Sequence, residues 1–110
     1  MNSLTSELLR EKGYISFIDV LIKMEKLSEE NYEKWRFQKI PYLEKAINLN
    51  LNKINFLLRA FHKNSRNGGL RRSKTEYNSW GKGIKVNLRF SKYGNPNIEE
   101  AYSTHFVKLI

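Results

Sequence analysis

The sequence predicts a mainly α protein: one compact domain of five to six short helices, closed by a small C-terminal β hairpin or wing. Three observations carry that expectation. Apolar residues recur at helical spacing from residue 4 to about residue 66. Helix-starting and helix-stopping residues punctuate that stretch at short intervals. From residue 84 the spacing changes to alternation, with Ile84, Val86, Leu88 and Phe90 separated by Lys85, Asn87 and Arg89. A chain of 110 residues, 40% apolar and 28% charged, suits one self-supporting core and not two.

The elements follow in order. Residues 4–12 predict a helix stopped by Gly13. Ser16 and Asp19 stand at capping-box spacing, and the helix after them aligns Phe17, Val20, Leu21 and Met24 on one face. Ser28 caps a third helix, where Glu29 and Glu30 meet the positive end of the dipole and Tyr32 lies three residues before Trp35. Pro41 suits the first turn of a fourth short helix carrying Leu43, Ala46 and Ile47. Asn52 is a good cap for a fifth helix, 53–66, whose stripe is Ile54, Leu57, Leu58 and Phe61 and which ends at Gly68-Gly69. Ser73 and Glu76 repeat the capping box and predict a sixth helix closed by Gly81. The strand 84–90 needs a partner. After a turn at 93–97 and a helical turn from Ile98 to about Ser103, the tail 105–110 is expected to pair with it.

Charge is the most informative bulk property. The net charge is +9, unevenly placed. Residues 1–33 hold four basic and seven acidic side chains, residues 34–98 hold fifteen and two, and residues 99–110 hold one and two. The single domain thus divides into an acidic helical part, 1–33, and a basic part, 34–110. Codon bias toward lysine would not also strip the middle of acids. A field of this kind attracts polyanions, of which nucleic acid is the commonest in a cytosol.

Other classes are disfavoured. The absence of cysteine removes disulfides and thiolate metal sites. No apolar run approaches the roughly 18 residues of a membrane span, and residues 1–13 lack a signal-peptide core, so a cytoplasmic protein is expected. Helix 53–66 is basic and amphipathic, but its flanks are well capped and its apolar face matches other faces of a core, so no membrane partner is expected.

Three constellations carry cations. The face of helix 53–66 away from the stripe holds Lys53, Asn55, Arg59, His62, Lys63 and Arg66. Arginine and lysine can bind phosphate or guanine edges, and asparagine can pair with adenine. The loop 66–74 places Arg66, Arg71, Arg72 and Lys74 around Gly68-Gly69, where the backbone can approach a phosphate, although P-loop spacing is absent. The strand 84–90 and its flanks present Lys82, Lys85, Arg89 and Lys92, while Trp80 and Tyr93 could stack on unpaired bases.

Residues 41–66 resemble the helix-turn-helix family. Ala46 stands at the small position, and Leu49, Leu51 and Phe56 stand near the apolar ones. Asn50 replaces the usual turn glycine, and Arg59 falls where the family prefers an aliphatic residue. The resemblance implies that helix 53–66 enters a major groove and that the basic strand acts as a wing.

The expected function is therefore non-catalytic binding of nucleic acid, DNA before RNA, with no cofactor and no metal. A homodimer on two half-sites fits. The alternative is a small inhibitor or interaction protein of the phage or mobile-element type, seated on an acidic protein partner such as the surface of a larger nucleic-acid enzyme. A small nuclease or toxin would have to use Glu99, Glu100, Tyr102 and His105, with Arg89 and Lys92 nearby in sequence. The lone aspartate, Asp19, argues against a carboxylate-rich two-metal nuclease.

Overall fold

Local capping chemistry sets the first helices. The structure, a computed structural model, describes residues 2–108, with side chains from residue 7 onward. Helix α1 (Asn2–Lys12) stops at Gly13, whose φ of 78° lies in the region glycine favours. A two-residue strand β1 (Tyr14–Ile15) leads into α2 (Phe17–Lys23). The Ser16 hydroxyl accepts the Asp19 N–H at 3.1 Å and donates to the Asp19 carboxylate at 2.9 Å, a variant of the capping box the spacing predicts. Helix α3 (Glu29–Arg36) starts from Ser28, which accepts the Asn31 N–H.

A 3-10 helix (Leu43–Ala46) precedes α4 (Leu51–Asn67), β2 (Arg71–Lys74), α5 (Pro96–Ser103) and β3 (Thr104–Val107). The three strands form an antiparallel sheet in the order β1-β3-β2. The aromatic core lies between this sheet and the helices. Phe61 of α4 meets Phe17 and Phe106, Phe17 meets Tyr102, and Tyr102 stacks on Phe90 at 5.2 Å between centroids. Trp35, buried beneath α3, packs on Phe90 and donates its indole N–H to the Arg89 carbonyl at 2.8 Å. Burying rings of this size contributes about 1.5–3 kcal/mol each.

Five expectations change. The cap of α4 is Asn50, not Asn52: its side chain accepts the Lys53 N–H at 2.8 Å, so the helix starts two residues earlier. The fourth helix is only the 3-10 turn, because the chain turns extended at Ile47 and the Asn48 N–H bonds to the Lys26 carbonyl instead of back to Glu44. The segment that resembles a helix-turn-helix therefore lacks an α-helix in its first position. The sixth helix does not form. Ser73 and Lys74 pair with His105 and Thr104 in β2, and ladder pairing outweighs the local cap. Residues 84–90 make one isolated bridge, Asn78 to Asn87, instead of a strand against the tail. Leu88 and Phe90 are buried, but Ile84 is 92% exposed and Val86 45%, so no continuous apolar face remains to drive pairing. The tail does form a strand, β3, but between β1 and β2; residues 109 and 110 of the expected strand 105–110 lie outside the described residues.

Candidate nucleic-acid interface

Helix α4 is the scaffold of the candidate site. Its 17 residues make a rod of about 25 Å, anchored by Ile54, Leu57, Leu58, Phe61 and Ser65. Flanking that stripe, Asn55, Arg59, His62, Lys63 and Arg66 line a groove of about 450 Å³ shared with Leu58 and with Ile98 and Ala101 of α5. Arg59, Lys63 and Arg66 are exposed, and among the described residues none of the three pairs with a carboxylate. The groove is thus apolar at its floor and cationic along one wall.

His62 is a strut in this arrangement. Its Nε2 lies 2.8 Å from the Ala101 carbonyl, so Nε2 must carry the donated proton, and its ring meets Phe61 and Phe106 edge-on. It ties α4 to α5 and sets the groove's width. Lys53 sits in the first turn, with its ammonium 5.7 Å from the centre of the exposed Phe56 ring.

The expected loop 66–74 is partly strand. Arg71, Arg72 and Lys74 lie on β2, which is an edge of the sheet. Arg72 reaches Glu100 at 3.6 Å, while Arg71 and Lys74 have no carboxylate partner among the described residues. Lys82, Lys85, Arg89 and Lys92 are exposed on a different support, the segment packed against α3 and the 3-10 turn. Lys85 donates to the Gly81 carbonyl at 2.9 Å, Arg89 donates to the Lys92 carbonyl, and the Lys92 ammonium lies 5.4 Å from the Tyr93 ring. Tyr93 is 78% exposed.

Helix α5 separates these basic regions. One face closes the α4 groove. The other holds Glu99, whose carboxylate accepts the N–H groups of Phe90 and Ser91 and the Ser91 hydroxyl at 2.6–2.9 Å. Tyr102 donates to Glu44 at 2.8 Å, and burial with that carboxylate pushes its pKa well above the ordinary phenol value. The residues considered for a nuclease therefore have separate partners: Glu99 holds the 90–91 backbone, Glu100 meets Arg72, Tyr102 meets Glu44, and His105 meets Tyr77 at 2.6 Å.

A second concavity, which sequence reasoning missed, lies between α1–α2 and α3. Its volume is about 640 Å³. Residues Glu29, Tyr32, Glu33 and Arg36 of α3 line it at spacings of three and four, a single helix face. That spacing was a signal in the sequence; the facing residues, Tyr77, Trp80 and His105, were not linked to it by any local pattern. Tyr14 stacks on His105 at 5.0 Å, and burial lowers the His105 pKa below its ordinary value. Burial likewise raises that of the Tyr77 phenol. Burial pushes the Lys12 ammonium down, but Asp19 at 3.0 Å outweighs it and holds the pKa above the ordinary value.

No helix among the described residues is long and apolar enough to cross a membrane, and no cluster of histidine and carboxylate residues there is arranged to hold a metal ion. No protein-family model, no curated protein and no solved structure matches the chain.

Proposed function

We propose that the protein is a non-catalytic nucleic-acid-binding module of the cytoplasm that contacts duplex DNA through the exposed face of α4. The observation that carries this reading is the convergence of Arg59, Lys63 and Arg66 on one wall of the α4–α5 groove without carboxylate partners among the described residues. Unpaired cations of one sign on a rigid rod are what a row of phosphates requires. In this reading α4 plays the part of the groove-entering helix of a helix-turn-helix, with the 3-10 turn replacing the first helix. Asn55 lies on the same face, where it can read a base edge. Arg71 and Lys74 extend the phosphate contacts along β2, and a homodimer would place two α4 rods on successive half-sites.

The test is fluorescence anisotropy with labelled duplex DNA, single-stranded DNA and structured RNA across a salt series. Duplex DNA is expected to bind most tightly. With Lys53, Arg59, Lys63, Arg66, Arg71 and Lys74 on phosphates, the logarithmic salt slope should be about −5. Absence of binding to all three probes near ~100 mM salt overturns the reading.

One observation favours a second reading. Ile84, Val86 and Tyr93 are exposed beside Lys82, Lys85 and Lys92, a mixed apolar and cationic surface suited to an acidic protein partner. A protein that ignores every nucleic-acid probe yet keeps its fold would point to that surface.

A further inference from the structure

We infer that the loop 79–86 is a peripheral membrane contact, which places Ile84 in the interface of a bilayer rich in anionic lipid. The contact does not rest on the nucleic-acid reading. It uses the loop and not α4, whose apolar stripe is buried in the core.

The loop is closed at its base and bare at its tip. Asn78 bridges Asn87, the Ser79 N–H donates to the Val86 carbonyl at 2.8 Å, and the Val86 N–H donates to the Ser79 hydroxyl at 2.9 Å. The Trp80 N–H donates to the Arg36 carbonyl at 2.7 Å, which ties the base to the end of α3. Lys85 reaches across to the Gly81 carbonyl at 2.9 Å. Gly81 and Gly83, with φ of 103° and 100°, make the reversal. Residues 81–87 are all exposed, and Ile84 at their apex is 92% exposed.

The apex is not an isolated apolar residue. Phe37 packs beside Gly81 and meets Trp80 edge-on at 5.8 Å, and both rings are partly in solvent. Val86 continues the apolar surface to Ile40 and Pro41 across a hollow of about 280 Å³. An exposed apolar surface of several residues marks a contact with something other than water.

Charge and shape select the partner. Residues 77–98 hold four cations, Lys82, Lys85, Arg89 and Lys92, and no acid. None of the four pairs with a carboxylate among the described residues. Glu44 and Glu99 meet only the far end of the segment, where they accept the N–H groups of residues 90–92. Glu29 and Glu33 lie in the cleft beyond Trp80. An acidic protein fits the charges but needs a matched hollow for the apex and a mixed polar rim. A duplex fits the charges but admits one wedge residue, which leaves Phe37, Val86, Ile40 and Pro41 unexplained. An anionic bilayer presents one sign of charge over a soft apolar layer that takes a convex tip.

The test uses the full chain with vesicles of equal parts phosphatidylglycerol and phosphatidylcholine, and with vesicles of phosphatidylcholine alone. Co-sedimentation reports binding. Trp35 is buried, so a blue shift of tryptophan emission reports Trp80 at the margin of the contact. The anionic vesicles should bind roughly tenfold more tightly than the neutral ones, with the shift. Ile84→Asn should weaken binding roughly tenfold, and Lys82→Ala with Lys85→Ala roughly twentyfold. All three residues are exposed, so circular dichroism should be unchanged. Arg59→Glu with Lys63→Glu should keep both the blue shift and the effect of Ile84→Asn. Anionic vesicles left unbound overturn the inference and leave the α4 face standing. Binding that Ile84→Asn leaves unchanged also overturns it, since attachment is then electrostatic alone. An equal loss of duplex and vesicle affinity in Ile84→Asn overturns it in favour of a groove-inserted wedge.

Discussion

The α4–α5 groove and the α1–α3 cleft handle charge in opposite ways. In the cleft, the lysines pair with carboxylates, Lys12 with Asp19 at 3.0 Å and Lys23 with Glu7 and Glu11 at 3.0 and 3.7 Å, and the carboxylates left over are Glu29 and Glu33. In the groove, Arg59, Lys63 and Arg66 point outward over Leu58, Ile98 and Ala101, with no carboxylate partner among the described residues. Paired surface charges contribute little field beyond a Debye length, whereas unpaired charges of one sign add. The difference teaches that a local net charge is not yet a binding surface. The pairing in space decides which cations remain available.

Charge reversal should break the comparison most visibly. Arg59→Glu with Lys63→Glu is expected to lower duplex affinity roughly a hundredfold near physiological salt and to shrink the salt slope by about two. Both residues are exposed, so thermal unfolding should barely move. An unchanged duplex affinity would remove the α4 face as the phosphate-binding surface.

Glu99 offers a structural version of the same test, since it holds the 90–91 backbone on the face of α5 opposite the groove. Glu99→Ala leaves the N–H groups of Phe90 and Ser91 without their acceptor. Urea unfolding should report a loss of about 2 kcal/mol. Duplex affinity should hold if α5 supports the groove only through Ile98 and Ala101.

Asn50→Ala sharpens the groove side at smaller cost. The Lys53 N–H loses its side-chain acceptor, and stability should fall by about 1 kcal/mol. Fraying of the first turn should weaken DNA binding through Lys53 while Arg66, at the far end of α4, stays in place.

The smallest expected effect concerns the cleft. Burial depresses the His105 pKa from 6.5, so the unfolded chain takes up a proton first as pH falls. The stability this neutral imidazole contributes is present above pH ~6.5 and is lost as pH drops through the lower folded-state value. Melting temperature should therefore decline as the pH falls below about 6.5, and less so in His105→Gln. An unchanged pH dependence in that variant would remove His105 as its source.

Local patterns carried the first half of the fold well. Ser16 and Ser28 cap the helices their spacing marks, and Ile54, Leu57, Leu58 and Phe61 form the buried stripe of α4. Reading failed where backbone groups found distant partners. Asn48 gave its N–H group to the distant Lys26 carbonyl rather than to Glu44 in a helix, and Ser73 joined His105 in a ladder despite its capping box. The alternation at 84–90 was real in the sequence, yet Ile84 had nothing to pack against. The basic face of α4 was legible because all of its residues lie on one helix. The cleft was not, because His105 is 28 residues from its partner Tyr77.

From the sequence by itself come the starts of α2 and α3, the amphipathic face of α4, the absence of thiol chemistry and the separation of acidic from basic segments. These depend on contacts within a few residues or on composition. The tertiary structure decided the strand order β1-β3-β2, the role of His62 as a strut, the partners of Glu44, Glu99 and Glu100 and the existence of the cleft. Each of those depends on groups far apart in the chain. Buried backbone and polar groups must find a hydrogen-bonding partner somewhere, and only the folded chain determines which partners are within reach.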